Sequence, residues 1–291
     1  MKRTAVILAV WSIALCAAAQ NSGQPAQQTP PAAGPAAPAQ GAAAPQAKRP
    51  PQFKTKPEQD AWNAAVAITD GAALEKAADD FAAKFPDSEV RMLLYKNAMR
   101  IYQSANNGEK TEAMGRKVLS FDGDDPEALV IVAEVIAERT RDTDLDKDQR
   151  YDEAVKMATK ATTTVDTDIS APAGTPPEKV EAYKALLRSN AYSVVGTIEY
   201  KKENYPVAQE NLQKSIDAYP PQPDPVVVLR LALCLDKQAK YPEALKVANR
   251  AVELTQDNTP IGTPARRERD RLQQLTGGAP PAQPASQPPK N

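Results

Sequence analysis

Apolar residues between about positions 56 and 275 recur with the 3.6-residue spacing that places them on one side of an α-helix. Val180, Tyr183, Leu187, Val194, Val195 and Ile198 form such a face. Turn-forming clusters interrupt the pattern at Asp70-Gly71, Pro86-Asp87-Ser88, Asn106-Asn107-Gly108, Asp124-Asp125-Pro126 and Pro220-Pro221. Between them lie stretches that predict helices of about 12–16 residues. The breaks are regular enough to suggest an internal repeat.

Two segments align. One runs from Asn190 through Tyr205-Pro206-Val207-Ala208, the other from Val226 through Tyr241-Pro242-Glu243-Ala244, at an offset of 36 residues. Small residues recur in register: Gly196 with Ala232, Ala208 with Ala244, and Ser215 with Ala251. These residues resemble the tetratricopeptide repeat (TPR), a helix–turn–helix of about 34 residues. Pro220 stands where that family closes a unit, and the extra residues fit within the loop Pro220 to Pro225. Two helices approach to about 8–9 Å only where neither presents bulk, which accounts for the small positions. Residues such as Leu212 and Leu235 fill the space around that contact.

Earlier units diverge more. Pro126 to Ala133 fits a first helix and Tyr151-Asp152-Glu153-Ala154 opens its partner, with an overlong loop between. Residues 88–105 and 109–121 form another pair, and 57–69 and 72–85 the first. Residues 261–275 resemble the helix that caps such arrays. The resemblance implies an all-α, TPR-like helical-hairpin solenoid of about five helix pairs plus a C-terminal capping helix. One hairpin cannot bury its apolar face alone, so the units must stack.

The flanks are different text. Met1-Lys2-Arg3, the apolar run Thr4 to Leu15 and Ala17-Ala18-Ala19 match a secretory signal peptide over residues 1–19. Leu15 before Cys16 argues against lipoprotein processing, which needs a small residue there. Residues 20–55 form a Pro/Ala/Gln-rich linker and 276–291 a similar tail, neither able to bury enough apolar surface to fold alone. The expected location is therefore periplasmic or extracellular, with outer-membrane association the lesser alternative. Membrane contact is expected only through an uncleaved or lipidated N-terminus.

Composition narrows the chemistry. The chain has no histidine, which excludes His-based triads and His-ligated metals. Its two cysteines exclude a disulfide framework, and Cys234 among leucines reads as a buried, inert thiol. A net charge of −1 gives no global bias toward nucleic acid. No phosphate-binding glycine loop or nucleophile elbow is present. The run Arg266 to Arg271 mixes signs as a solvated helix face does. Residues 142–153 place Asp142, Asp144, Asp146 and Glu153 at calcium-loop spacing. Lys147, however, stands where such a loop needs Gly, and the plainer reading is an acidic loop whose Asp148 caps the next helix. No cofactor, metal, catalytic residue or small-molecule substrate is expected, and no nucleic acid.

What remains is the concave surface that the resemblance implies, lined by the first helix of each pair. Carried over by repeat position, its lining includes Asn190, Ser193, Thr197 and Tyr200, then Val226, Leu229, Leu233 and Asp236, and earlier Glu127, Val130, Glu134 and Ala137. Glu134, Asn190, Thr197, Tyr200, Leu229 and Leu233 are the candidate partner-binding residues, with Tyr200 and Leu229 as bulky anchors. The expected function is a non-catalytic scaffold of the bacterial envelope that binds a protein or peptide. The alternative is a structural component of an outer-membrane or envelope assembly complex, anchored at its N-terminus.

Overall fold

The computed structural model describes residues 48–169, 171 and 174–277. The expected signal peptide, Cys16, most of the linker and residues 278–291 lie outside the described residues. Among those described there are eleven helices and no strand. They are α1 (Lys56–Val66), α2 (Gly71–Lys84), α3 (Arg91–Ser104), α4 (Gly108–Phe121), α5 (Pro126–Arg139) and α6 (Lys147–Thr164). There follow α7 (Pro177–Lys201), α8 (Tyr205–Ala218), α9 (Pro225–Lys237), α10 (Tyr241–Glu253) and α11 (Gly262–Leu275). Each packs on its neighbour in chain order, so five hairpins stack and α11 closes the array against α10.

Local chemistry sets the helix starts. Thr55 and Glu58 form a reciprocal capping box on α1, while Asp70, Asn107, Asp125 and Asp224 cap α2, α4, α5 and α9 through their side chains. Proline in the first turn of α5, α8, α9 and α10 falls where its missing N–H costs nothing. Asp148 is not a cap: α6 begins at Lys147, behind Asp146, whose side chain makes no capping bond.

The turn inside the hairpin repeats more faithfully than the sequence does. Asn106, Glu203 and Ala239 each take a left-handed conformation, at φ of 55°, 60° and 56°. Behind each, the next residue donates its amide five residues back: Asn107 to Tyr102, Asn204 to Glu199 and Lys240 to Leu235, at 2.9, 2.9 and 3.0 Å. Such paired bonds satisfy the last carbonyls of the first helix and reverse the chain.

The small positions are buried: Ala208, Ala232, Ala244 and Ala251 are fully inaccessible. Gly196 lies directly against Leu212, whose backbone nitrogen stands 3.0 Å from where a Cβ would be. Around these contacts the core runs from Trp62, Leu74, Leu94 and Met114 at one end to Leu231, Leu235 and Leu272 at the other.

Two helices exceed the expected length, α6 with 18 residues and α7 with 25. In α7 no helix-breaking residue separates Val180 and Tyr183 from the repeat-like part, so extra turns precede the unit. Leu187 packs there with Val165 and Ile169, and Val180 and Tyr183 lie against them. The middle helix α5 is buried nearly all round, because α4, α6 and α7 all pack on it.

Candidate interaction surface

Polar contacts between odd-numbered helices mark one face of the stack. Near its first half, Lys96 of α3 reaches Asp125 at 2.6 Å and Glu127 of α5 at 3.0 Å. Arg100 donates two bonds to the Glu127 carboxylate, at 2.6 and 2.7 Å, and the Tyr183 hydroxyl of α7 bonds the same group. Burial alone would push the Glu127 carboxyl up, but the charges of Lys96 and Arg100 and these bonds outweigh it. They hold it well below the usual carboxylate range. Burial and the Glu127 charge push Tyr183 well above its ordinary value. Three helices are thus locked by a desolvated network, and the face is filled here: Glu127, Val130 and Ala137 are all buried.

The second half of the face is more open. Asn190 is exposed, and Ser193, Thr197 and Tyr200 follow along the same side of α7, partly buried. Arg230 of α9 donates to the Thr197 hydroxyl at 2.8 Å. Tyr200 meets Tyr205 edge-on, with ring centres 5.6 Å apart. Burial raises its phenol above the ordinary value. Glu134 and Leu233 are half-buried beside this stripe, and Asp236 pairs with Arg271 of the capping helix at 2.5 Å.

Leu229 departs from expectation. It is 7 % exposed and packed in the C-terminal core, so it offers almost no surface to a partner. Toward α7, α9 presents Arg230, through its bond to Thr197, and not Leu229. Leu229 and Arg230 both fit helical spacing with Val226 and Leu233, and burial of Leu229 in the C-terminal core chooses between them. Arg230 was therefore missed, as was Lys201. The Lys201 ammonium donates to the carbonyl of Ala137 at 2.7 Å and sits over the Tyr151 ring. Burial, with Arg230 nearby, lowers its pKa.

Other candidates resolve plainly. In the acidic loop Asp144 accepts the Arg141 amide at 2.8 Å, and Lys147 to Glu153 are already helical. The described carboxylates that do cluster, Asp122, Asp124 and Asp168, lie elsewhere. Lys48 bonds the first and third, and Lys160 the second, so each carboxylate already has an ammonium partner. Cys234 is buried, its Sγ 3.0 Å from the Tyr205 carbonyl, and burial raises its pKa. The charged run of α11 pairs within itself through Arg271 and Glu268, and Arg266 pairs with Asp257. No helix among the described residues is long and apolar enough to cross a membrane.

No family model matches the chain, and no curated protein matches it. Solved structures do. The chain is similar to PilF of Pseudomonas aeruginosa, at 16% identity and a TM-score of 0.52, over 76% of this chain and 87% of that one. It is also similar to YrrB, described as a TPR protein with an unusual peptide-binding site, at 18% identity and a TM-score of 0.45, over 69% and 85% of the two chains. A third is TTC0263, a thermophilic TPR protein of Thermus thermophilus, at 11% identity and a TM-score of 0.45, over 72% and 98%. The fold is a TPR-like helical solenoid.

Proposed function

We propose that the protein is a non-catalytic scaffold of the bacterial envelope that binds a protein or peptide on the open half of its odd-helix face. The observation that carries this reading is the stripe Asn190, Thr197 and Tyr200 on α7, joined to α9 through the Arg230–Thr197 bond. It offers an aromatic anchor, neutral hydrogen-bonding groups and a fixed cation on rigid helices, the mixture that protein interfaces favour. The repeat fold supports the reading, since stacked hairpins present extended faces of this kind. Export and the envelope setting rest on the N-terminal sequence.

The test is affinity capture from envelope extract, followed by binding measurements on the captured partner. Tyr200→Ala and Leu233→Ala should each weaken binding by about 1 kcal/mol or more with the helical signal intact. Deleting residues 278–291 should change little. Loss of capture on tail deletion, with both face variants still binding, would move the working surface to the tail.

A further inference from the structure

The turns after α2, α4 and α6 gather on one edge of the stack, and a short segment lies across all three. The Lys48 ammonium bonds Asp122 at 2.5 Å, in the α4–α5 turn, and Asp168 at 3.5 Å, after α6. Its backbone amide donates to the Thr167 carbonyl at 2.9 Å. One residue on, the Arg49 guanidinium grips Glu89 of the α2–α3 turn with two bonds, of 2.9 and 2.7 Å. Gln52 donates its amide to the same carboxylate at 3.2 Å. Pro51 lines, with Met92 and Phe121, a cleft of about 310 Å³ beneath the segment. Phe53 then packs on Trp62, with ring centres 6.0 Å apart, and the chain enters α1.

We propose that this acidic turn edge is a docking surface for a basic, proline-containing segment, and that its occupant is the chain's own Lys48–Gln52. The match is specific in charge and in shape. Lys48 and Arg49 are the only charged residues between positions 20 and 52, and both fall on carboxylates. Pro50 and Pro51 have no amide to satisfy, which suits a stretch that crosses turns without joining a ladder. Exposed ion pairs are individually weak, but here a bidentate guanidinium, an ammonium shared by two carboxylates and two backbone amides act along five residues.

The consequence is a strap that ties the first three hairpins together along one edge. The segment therefore runs from beside the α6–α7 turn, at Lys48, to the start of α1. Hairpin stacks flex by small rotations between neighbours, and a taut segment across three turns restricts them on that side. This surface is separate from the odd-helix stripe and independent of what that stripe binds.

Amide exchange on the full chain tests the proposal, with a synthetic peptide of residues 44–55 as the unstructured reference. The Lys48 and Gln52 amides should exchange at least about tenfold more slowly in the protein than in the peptide. Arg49→Glu should bring both amides to within about twofold of the peptide rate, and adding Glu89→Arg should re-form the pair in reverse and restore protection at the Lys48 amide, whose acceptor is the Thr167 carbonyl. Raising the salt from about 0.05 to 0.5 M should cut wild-type protection at least threefold. Peptide-like exchange in the wild-type chain would overturn the proposal. So would a reversed pair that fails to restore protection at the Lys48 amide while the melting temperature stays at the wild-type value.

Discussion

Replacing Gly196 by alanine adds one methyl group at the tightest point of the α7–α8 hairpin. The new Cβ would lie 2.7 Å from Leu212 Cγ, 2.9 Å from Cδ2 and 3.0 Å from the Leu212 amide nitrogen. Carbon–carbon contacts are comfortable at about 3.5–4.0 Å. The Leu212 side chain is fully buried and its backbone cannot swing aside, so the two helices must part by several tenths of an ångström. Overpacking of this kind costs about 1–3 kcal/mol. Against it stands a gain of about 1 kcal/mol from alanine's better helix propensity. The net expectation is a loss of about 1 kcal/mol, or about 2–4 °C in melting temperature for a body of this size.

Gly108→Ala supplies the control. The atom in its way is Arg139 Cδ, at 3.0 Å, the far part of an exposed side chain that can move. Thermal melts followed by circular dichroism should therefore separate the two variants in sign or by several degrees. A double-mutant cycle with Leu212→Ala sharpens the comparison. Leu212→Ala alone should cost about 2–5 kcal/mol, and less in the Gly196→Ala background, where the added methyl takes some of the space. If Gly196→Ala stabilises as much as Gly108→Ala and adds independently to Leu212→Ala, the close-packing argument is wrong.

Other consequences follow from the same geometry. Glu127 has a folded-state pKa below its ordinary 4.5, so its contribution to stability is complete above about pH 5 and is lost as pH falls further. Glu127→Gln should lower the melting temperature at pH 7 and flatten the acid dependence between about pH 5 and 3; an unchanged acid slope would remove Glu127 as its source. Ala239 holds φ at 56° with no polar side chain to support it, so Ala239→Gly should raise stability by about 0.5–1 kcal/mol in a denaturant titration. A loss of stability there would show that the turn is not strained. Millimolar calcium should leave the melting temperature nearly unchanged, because the residues from Lys147 on are helical; a rise of several degrees abolished by Asp144→Asn would revive a metal role for that loop.

The hairpins were legible in the chain alone. The 3.6-residue pattern, the turn clusters around Asp70, Asn107 and Asp125, and the 36-residue offset are local or near-local signals that reappear in the helices and their turns, whereas the cap expected at Asp148 does not. Of the residues placed by repeat position, Asn190 is exposed, Thr197, Tyr200 and Leu233 are half-buried, and Thr197 bonds Arg230 of α9. Three features emerged with the packing of the array. Whether Leu229 or Arg230 turns outward was undecidable from spacing, since residues three and four apart fit a helix face equally well; the packing of neighbouring helices decided it. The Lys96–Arg100–Glu127–Tyr183 network unites residues up to 87 positions apart in the chain, so no local pattern betrays it. The same holds for Lys48 and Arg49, which read as stray charges in a linker until three distant turns bring Glu89, Asp122 and Asp168 to one edge. Periodicity reports which side of a helix is apolar; which polar groups meet depends on how the hairpins stack, and that is a property of the whole array.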